Sequence, residues 1–297
     1  MGAQMISGGQ IVTLARFTPE AAAKAISRYK CTTFMPAPTA LIALLGWPDL
    51  EAYDFSSLRC LVSGAAPISV ETQARMKRLL PNTVIGEGYG LTETMAQGGL
   101  LTPLHRHKPG FVGIPQTGVD MKIVDFETES RELGPNEEGE IVIKGPMMMK
   151  GYWNRPKETS EVLREGWLYT GDAGVMDEEG YVRVVGRKKE LIKCSGFSVF
   201  PSEVEGWLYQ HPAIAEVAVI GVPDSYRGEA PKAFIVLKAE YKGKINEEEI
   251  IEWSKENMAA YKRPHTIEFR DELPKSAAGK ILRRILADEE KNKICAK

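Results

Sequence analysis

"LRCLVSGAAPISVETQARMKRLLPNTVIGEGYG" (residues 58–90) reads as strand, helix, strand, and that order decides the fold. "LRCLVSG" (58–64) is a nearly continuous apolar run ending on small residues, the pattern of a strand covered on both faces. "SVETQARMKRLL" (69–80) spaces its apolar residues as an amphipathic helix does, with charges between them. "NTVIGEGYG" (82–90) is a second strand that runs into a glycine loop. Strand–helix–strand order predicts a mostly parallel sheet, and ligands of such sheets gather at the carboxyl ends of the strands. Both "SGAAP" (63–67) and "GYGLTET" (88–94) lie just after such ends.

Upstream, "QIVTL" (10–14) is strand-like, and "TPEAAAKAISRYK" (18–30) has an N-cap threonine, a proline at the first helical position and an Ala-rich body. "TTFMPAP" (32–38) reads as a strand and "PTALIALLG" (38–46) as a short helix. From about 100 to 186 the texture changes to short strands and turns: "GFVGIPQTGVDMKIVD" (110–125), "EEGEIVIKG" (137–145) and "EEGYVRVVG" (178–186). A third texture follows Gly186. It has a helix "PSEVEGWLYQHP" (201–212), strands "IAEVAVIGVP" (214–223) and "KAFIVLK" (232–238), a helix around 246–257 and a basic C-terminal segment. The expected fold class is α/β: a partial α/β sheet layer, then a β-rich, barrel-like subdomain, then a small α+β domain. The boundary falls in the polar "GRKKE" (186–190), giving 1–186 (about 1–99 and about 100–186) and 187–297.

A chain of 297 residues with 43% hydrophobic and 26% charged residues is ordinary for a globular protein. Its net charge of −2 gives no electrostatic reason to expect nucleic acid or an anionic membrane as partner. Cys31, Cys60, Cys194 and Cys295 lack CxxC spacing and read as reduced thiols of a cytoplasmic protein, not a disulfide frame or zinc site. The longest apolar run, "TALIALLGW" (39–47), is too short to span a membrane. "MGAQMISGGQIVTLARF" (1–17) lacks the layout of a signal peptide and enters a strand-like run at once, as though the chain began inside a domain.

The chemistry begins at "GEGYGLTETMAQGG" (86–99). Glycines let a backbone approach a ligand, hydroxyls bond phosphate oxygens, and a carboxylate holds a hard cation, which together suit a Mg-nucleotide. Each motif also has a plainer explanation when taken alone. A glycine-rich turn can be purely structural, and "YTGDAG" (169–174) puts Asp172 in a tight turn, where Asp is more often a turn former than a ligand. "GRKKELIKCSG" (186–196) would ordinarily be a solvated basic stretch, and "PKSAAGKILRR" (274–284) a Lys/Arg-rich helix start. His105 and His107 read as a solvated pair in a loop, and "PMMMKGYW" (146–153) as core or interface.

Their order changes the weighting. "SGAAP", "YGLTE", "GEIVIKGPMMMKGYW", "YTGD", "GRKKELIKCSG", "PSEVE" and "PKSAAGK" follow one another in register through most of the chain. This series resembles the acyl-adenylate-forming, AMP-binding superfamily. "GVPDSYRGEAPKAFIVLK" (221–238) and "GRKKELIKCSGFSVFPSEVE" (186–205) are phrased like the fatty-acid and aryl-acid CoA ligase branch. The resemblance implies an ATP-dependent acyl-CoA synthetase with ATP/AMP, Mg²⁺ and coenzyme A as cofactors and a medium- or long-chain fatty acid as substrate.

By the same resemblance, Gly64, Ala65 and Ala66 would wall the adenine and Tyr89 would pack on its face. Thr92 would donate to the α-phosphate, Glu93 would ligate Mg²⁺, Asp172 would accept from both ribose hydroxyls, and Arg187 would touch ribose or phosphate. Lys189 matches a hinge, Lys280 matches the lysine of the adenylation step, and Gly196 matches a position lining the pantetheine tunnel. One family feature has no counterpart. The Ser/Thr/Gly-rich loop ending in Pro-Lys that holds the β- and γ-phosphates, well upstream of "SGAAP", is missing, and no GxxxxGK[ST] replaces it. The chain therefore resembles the C-terminal half of a ligase, with the N-terminal half as a possible partner in trans. A non-catalytic AMP- or CoA-binding remnant, and a ligase for aryl or other acids, share every motif and stay open.

Overall fold

The computed structural model describes residues 5–64, 70–95, 98, 100–101, 108–276 and 281–295. Helix α1 (Pro19–Tyr29) starts where the Thr18 hydroxyl accepts the Ala21 amide, with Pro19 in the first turn. Strand β1 (Thr33–Phe34), helix α2 (Pro38–Leu45), strand β2 (Cys60–Gly64), helix α3 (Val70–Leu79) and strand β3 (Val84–Gly88) follow. The strands form a parallel sheet in the order β1-β2-β3, with Leu61 opposite Ile85 and Gly64 opposite Gly88. Leu41 and Leu45 of α2 and Met76 of α3 close on Leu61 and Ile85 as a small core. The strand expected at 10–14 is absent. Ile11, Val12 and Leu14 lie exposed in irregular backbone, because an extended segment becomes a strand only against a neighbour, and none of the described strands lies beside it.

The β-rich part begins with a short antiparallel ladder of β4 (Leu100–Leu101) and β5 (Ile114–Pro115). It continues through β6 (Asp120–Val124), β7 (Gly139–Lys144), helix α4 (Pro156–Val162), β8 (Leu163–Arg164), β9 (Trp167–Met176) and β10 (Val182–Arg187). These strands make an antiparallel sheet in the order β10-β9-β7-β6, with β8 beside β9, curled as half a barrel. Ile123, Ile141, Ile143 and Val182 form its core, and Met147 and Met148 of the methionine run pack against it. "YTGD" is not the tight turn expected from its glycine. It lies within β9, where Gly171 has a φ of +68° and the pairing with β7 slips between Glu140 and Val142. That slip is a bulge, and bulges re-aim side chains.

A single turn (Lys188–Glu190) leads from β10 into β11 (Ile192–Cys194), β12 (Phe197–Val199), helix α5 (Pro201–Leu208), β13 (Ile214–Asp224), β14 (Gly228–Leu237), helix α6 (Glu247–Asn257), β15 (Thr266–Phe269) and helix α7 (Arg283–Cys295). The sheet order is β12-β11-β14-β13, with β15 parallel to β14. Alternation along β13 and β14 sends Val217, Val219 and Ile235 to one face and Ala218, Ile220 and Phe234 to the other. The first face is covered by Val204 and Leu208 of α5 and Ile250 of α6, the second by Leu273 and by Leu286 of α7. Among the described residues no helix is long and apolar enough to cross a membrane.

Candidate active site

The parallel strands set the first wall. β2 and β3 end side by side at Gly64 and Gly88, and Tyr89 follows directly. The Tyr89 ring lies over Gly98, whose amide donates to the Tyr89 carbonyl at 2.8 Å. A Cβ on Gly98 would come within 2.3 Å of the ring, so only glycine fits beneath it.

β9 and β10 set the second wall. The Tyr89 phenol donates to Asp172 Oδ2 at 2.7 Å, and Arg187 Nε lies 2.8 Å from Oδ1. Asp172 is buried, at 4% exposure, so these partners compensate a carboxylate that has lost most of its water. Arg187 also donates to the Thr170 carbonyl at 3.3 Å, and the Asp172 amide donates to Thr170 Oγ1 at 3.1 Å. Burial, followed by the Asp172 charge, pushes the Tyr89 phenol well above its ordinary range, and it stays a donor through neutral pH.

Behind Asp172 lies a second buried carboxylate. Glu140 accepts the Gly171 amide on Oε1 at 3.0 Å and Lys188 Nζ on Oε2 at 2.7 Å. Lys188 reaches Glu129 as well, at 2.5 Å, and Arg164 holds the other oxygen of Glu129. Burial would lower the Lys188 ammonium, but Glu129 and Glu140 outweigh it and raise it.

The third wall is the turn Thr92–Thr94. Thr94 is buried and closes the turn on Leu91, donating to its carbonyl at 3.1 Å and accepting its amide at 3.3 Å. Thr92 is exposed. The Glu93 carbonyl accepts the Met149 amide at 2.8 Å, and its carboxylate accepts the Tyr152 phenol at 2.6 Å. Burial and Glu93 push that phenol up to about 12. Among the described residues no group of three or more His, Cys, Asp or Glu could hold a metal. A lone carboxylate such as Glu93 instead matches Mg²⁺, which takes one or two protein oxygens and completes its shell with phosphate and water.

Gly64, Tyr89, Asp172 and Arg187 thus come together at the strand ends, and Glu93 stands on the next turn. Lys189 sits exposed in the turn between β10 and β11. Gly196 closes the β11–β12 hairpin with Ser195, at φ of +83° and +51°, and nothing lies within 4 Å of a Cβ added to it. Two consecutive positive φ values define a type I′ turn, so local geometry already accounts for this glycine. Ala65, Ala66, Lys280, His105 and His107 lie outside the described residues. Three contributors escaped the sequence reading: Glu140, Lys188 and Tyr152. Glu140 carried a signal, since a carboxylate inside the buried run "GEIVIKG" needs a partner.

The AMP-binding enzyme family matches residues 1–153, and the AMP-binding enzyme C-terminal domain family matches 203–280. A long-chain-fatty-acid–CoA ligase of Bacillus subtilis (strain 168) is 46% identical over 285 residues, covering 95% of this chain and 50% of its own length. One from Escherichia coli O6:H1 is 40% identical, covering 97% of this chain and 50% of its own. Among solved structures, an anthranilate CoA ligase in complex with anthranoyl-AMP superposes with a TM-score of 0.86 at 34% identity, covering 97% of this chain and 56% of that one. The chain spans about half the length of the curated relatives it matches.

Proposed function

Because the chain belongs to the AMP-binding enzyme family, we propose that it forms the C-terminal portion of an AMP-forming acyl-CoA synthetase. A carboxylate attacks the α-phosphorus of ATP and expels pyrophosphate, and the thiol of coenzyme A then displaces AMP to give the thioester. The acid is a medium- or long-chain fatty acid, a reading that the phrasing of the last hundred residues and the long-chain ligases of B. subtilis and E. coli support. Aryl acids are the second reading, favoured by the anthranilate ligase fold. The setting is cytoplasmic.

The carrying observation is the Tyr89–Asp172–Arg187 cluster at the strand ends. Asp172 is held by Tyr89 and Arg187, and a two-oxygen acceptor of this kind suits the two ribose hydroxyls. Tyr89 packs on the adenine, with Gly64, Ala65 and Ala66 beside it. A base on an aromatic ring contributes about 1–3 kcal/mol. Thr92 donates to the α-phosphate, and Glu93, steadied by Tyr152, is the protein oxygen for Mg²⁺. When bound, Mg²⁺ supplies charge neutralisation at the phosphates. Lys280 reaches the attacked phosphate during adenylation, Lys189 is the hinge, and Gly196 lies on the path of the pantetheine thiol. The large body ends at 186 and the mobile one begins at 187.

This reading places the adenine, ribose and α-phosphate contacts here and the β,γ-phosphate grip in an N-terminal portion supplied in cis or in trans. Calorimetry on the 297-residue chain should show weak AMP binding that exceeds ATP binding and disappears in Asp172→Asn. Acyl-CoA should form when the upstream half of a long-chain ligase is added. AMP binding without turnover in that mixture selects the non-catalytic remnant, and no AMP binding at all overturns the site. Lys280→Ala should lose adenylation roughly 10²–10³-fold, by analogy with removal of a preorganised donor. Thioester formation from supplied acyl-AMP should change far less.

A further inference from the structure

The turn between β10 and β11 is three residues long, and its members are held very differently. Lys188 is gripped from the β-rich side by Glu129 at 2.5 Å and by the buried Glu140 at 2.7 Å. Glu140 also holds the Gly171 amide, so Lys188 is fastened to the strand that carries Asp172. Arg187, one residue earlier, is paired with Asp172 itself. Glu190 is gripped from the opposite side, by Arg283 at 3.0 Å. The same guanidinium forks onto Glu205 of α5 at 2.8 and 2.5 Å, and Glu205 accepts the Val219 amide of β13. Lys189, between them, is exposed and has no ion-pair partner among the described residues.

Arg283 opens α7, directly after the segment that contains Lys280. The base of that segment is closed by the Lys275–Ile281 bridge and by the Leu282 amide on the Pro274 carbonyl at 2.8 Å. One guanidinium therefore joins the last residue of the turn, the helix α5 and the foot of the Lys280 segment. Bidentate Arg–carboxylate pairs fix orientation as well as distance, which a single Lys–carboxylate contact does not.

We propose that Lys188 and Glu190 are positioning residues that pin the two sides of the turn to opposite bodies, through Glu129/Glu140 and Arg283, and so confine interdomain rotation to Lys189. The inference rests on the hinge reading of Lys189. Rotation at one residue turns the small body as a rigid lever, with Arg283 and the Lys275–Ile281 bridge at a fixed place on it. With either anchor cut, the rotation spreads over several dihedrals and the position of that bridge relative to the large body blurs. Hinges in general are a few backbone positions that absorb large dihedral changes, and the anchors reduce that number to one.

The test measures distance distributions between spin labels on the 297-residue chain. Labels go on Glu138→Cys and Glu240→Cys, both exposed and on opposite sides of the turn, with Cys31, Cys60 and Cys295 replaced by serine. Glu190→Gln and Lys188→Met should each broaden the distribution, and Glu190→Asp should restore part of the narrow form. Glu190→Gln leaves the Arg283–Glu205 fork in place, so the small body should keep its melting temperature. AMP affinity should also stay unchanged in that variant. Lys189→Gly should broaden the distribution and Lys189→Pro should narrow or shift it. If Lys189→Gly broadens the distribution while Glu190→Gln and Lys188→Met leave it unaltered, the anchor inference is overturned and the hinge stands. If no substitution at Lys189 changes it, the hinge reading itself is lost.

Discussion

Residues 187–295 cover both faces of one five-stranded sheet, with α5 and α6 on one side and α7 on the other. Residues 19–88 carry three short parallel strands with a small core cluster of Leu41, Leu45, Leu61, Met76 and Ile85. Most of the exposed large apolar side chains among the described residues lie in the first 95, including Met5, Ile6, Met35, Ile42 and Met95. A parallel sheet needs cover on both faces, whereas a mixed sheet with its own helices can be complete in itself. The difference is between a unit that covers its own sheet and one that leaves many apolar side chains exposed.

The largest expected effect follows from that contrast. A fragment of residues 187–297 should unfold in urea as one cooperative transition, while a fragment of residues 1–107 should show no cooperative transition and should associate. Circular dichroism and light scattering decide both, and equal cooperativity of the two would erase the comparison. Next, Phe234→Ala in the whole chain should cost about 3–5 kcal/mol, because the ring is fully buried between β14 and α7. Hydrogen exchange should localise that loss to the small body and leave β2 and β3 untouched.

A smaller effect comes from pH. Burial would raise the Glu268 carboxyl, yet Lys232 and Lys293 outweigh it and hold the group at about 2, below its ordinary 4.5. A lowered folded value means that the stabilisation is complete above the unfolded value and fades as the pH falls from about 5 towards 2. Urea midpoints of the 187–297 fragment should fall over that window, and Glu268→Gln should flatten the slope. Smallest of all, Gly196→Ala should cost about 1–2 kcal/mol through the left-handed backbone alone. That loss should be the same with and without coenzyme A. A loss seen only in thioester formation would return Gly196 to the pantetheine path.

Much of this was legible in the residues. Thr18 and Pro19 marked the start of α1, and the apolar runs at 58–64 and 82–90 gave the paired strands. The apolar strands read at 214–223 and 232–238 pair as the centre of the small sheet. Two things were not legible. The run at 10–14 looks like a strand, but pairing depends on a neighbour that no local pattern reports. The role of Glu140 depends on a bulge opposite Gly171, and a register slip between distant strands leaves no trace in either sequence alone. Asp172, Tyr89 and Arg187 could be named individually, but Tyr89 and Asp172 stand 83 positions apart and needed the fold to bring them together.

The β13–β14 hairpin also sets an order of events in time. Its strands pair continuously from Glu216 with Val236 to Asp224 with Gly228 across a short turn, where Asp224 accepts the Tyr226 and Arg227 amides. Contacts so near in sequence close within microseconds, whereas β15 must return across α6 to lie parallel against Lys232–Ile235. The small body should therefore acquire protected amides first along the hairpin and last at Thr266–Phe269. A nascent chain would complete this body only after that final strand had left the ribosome.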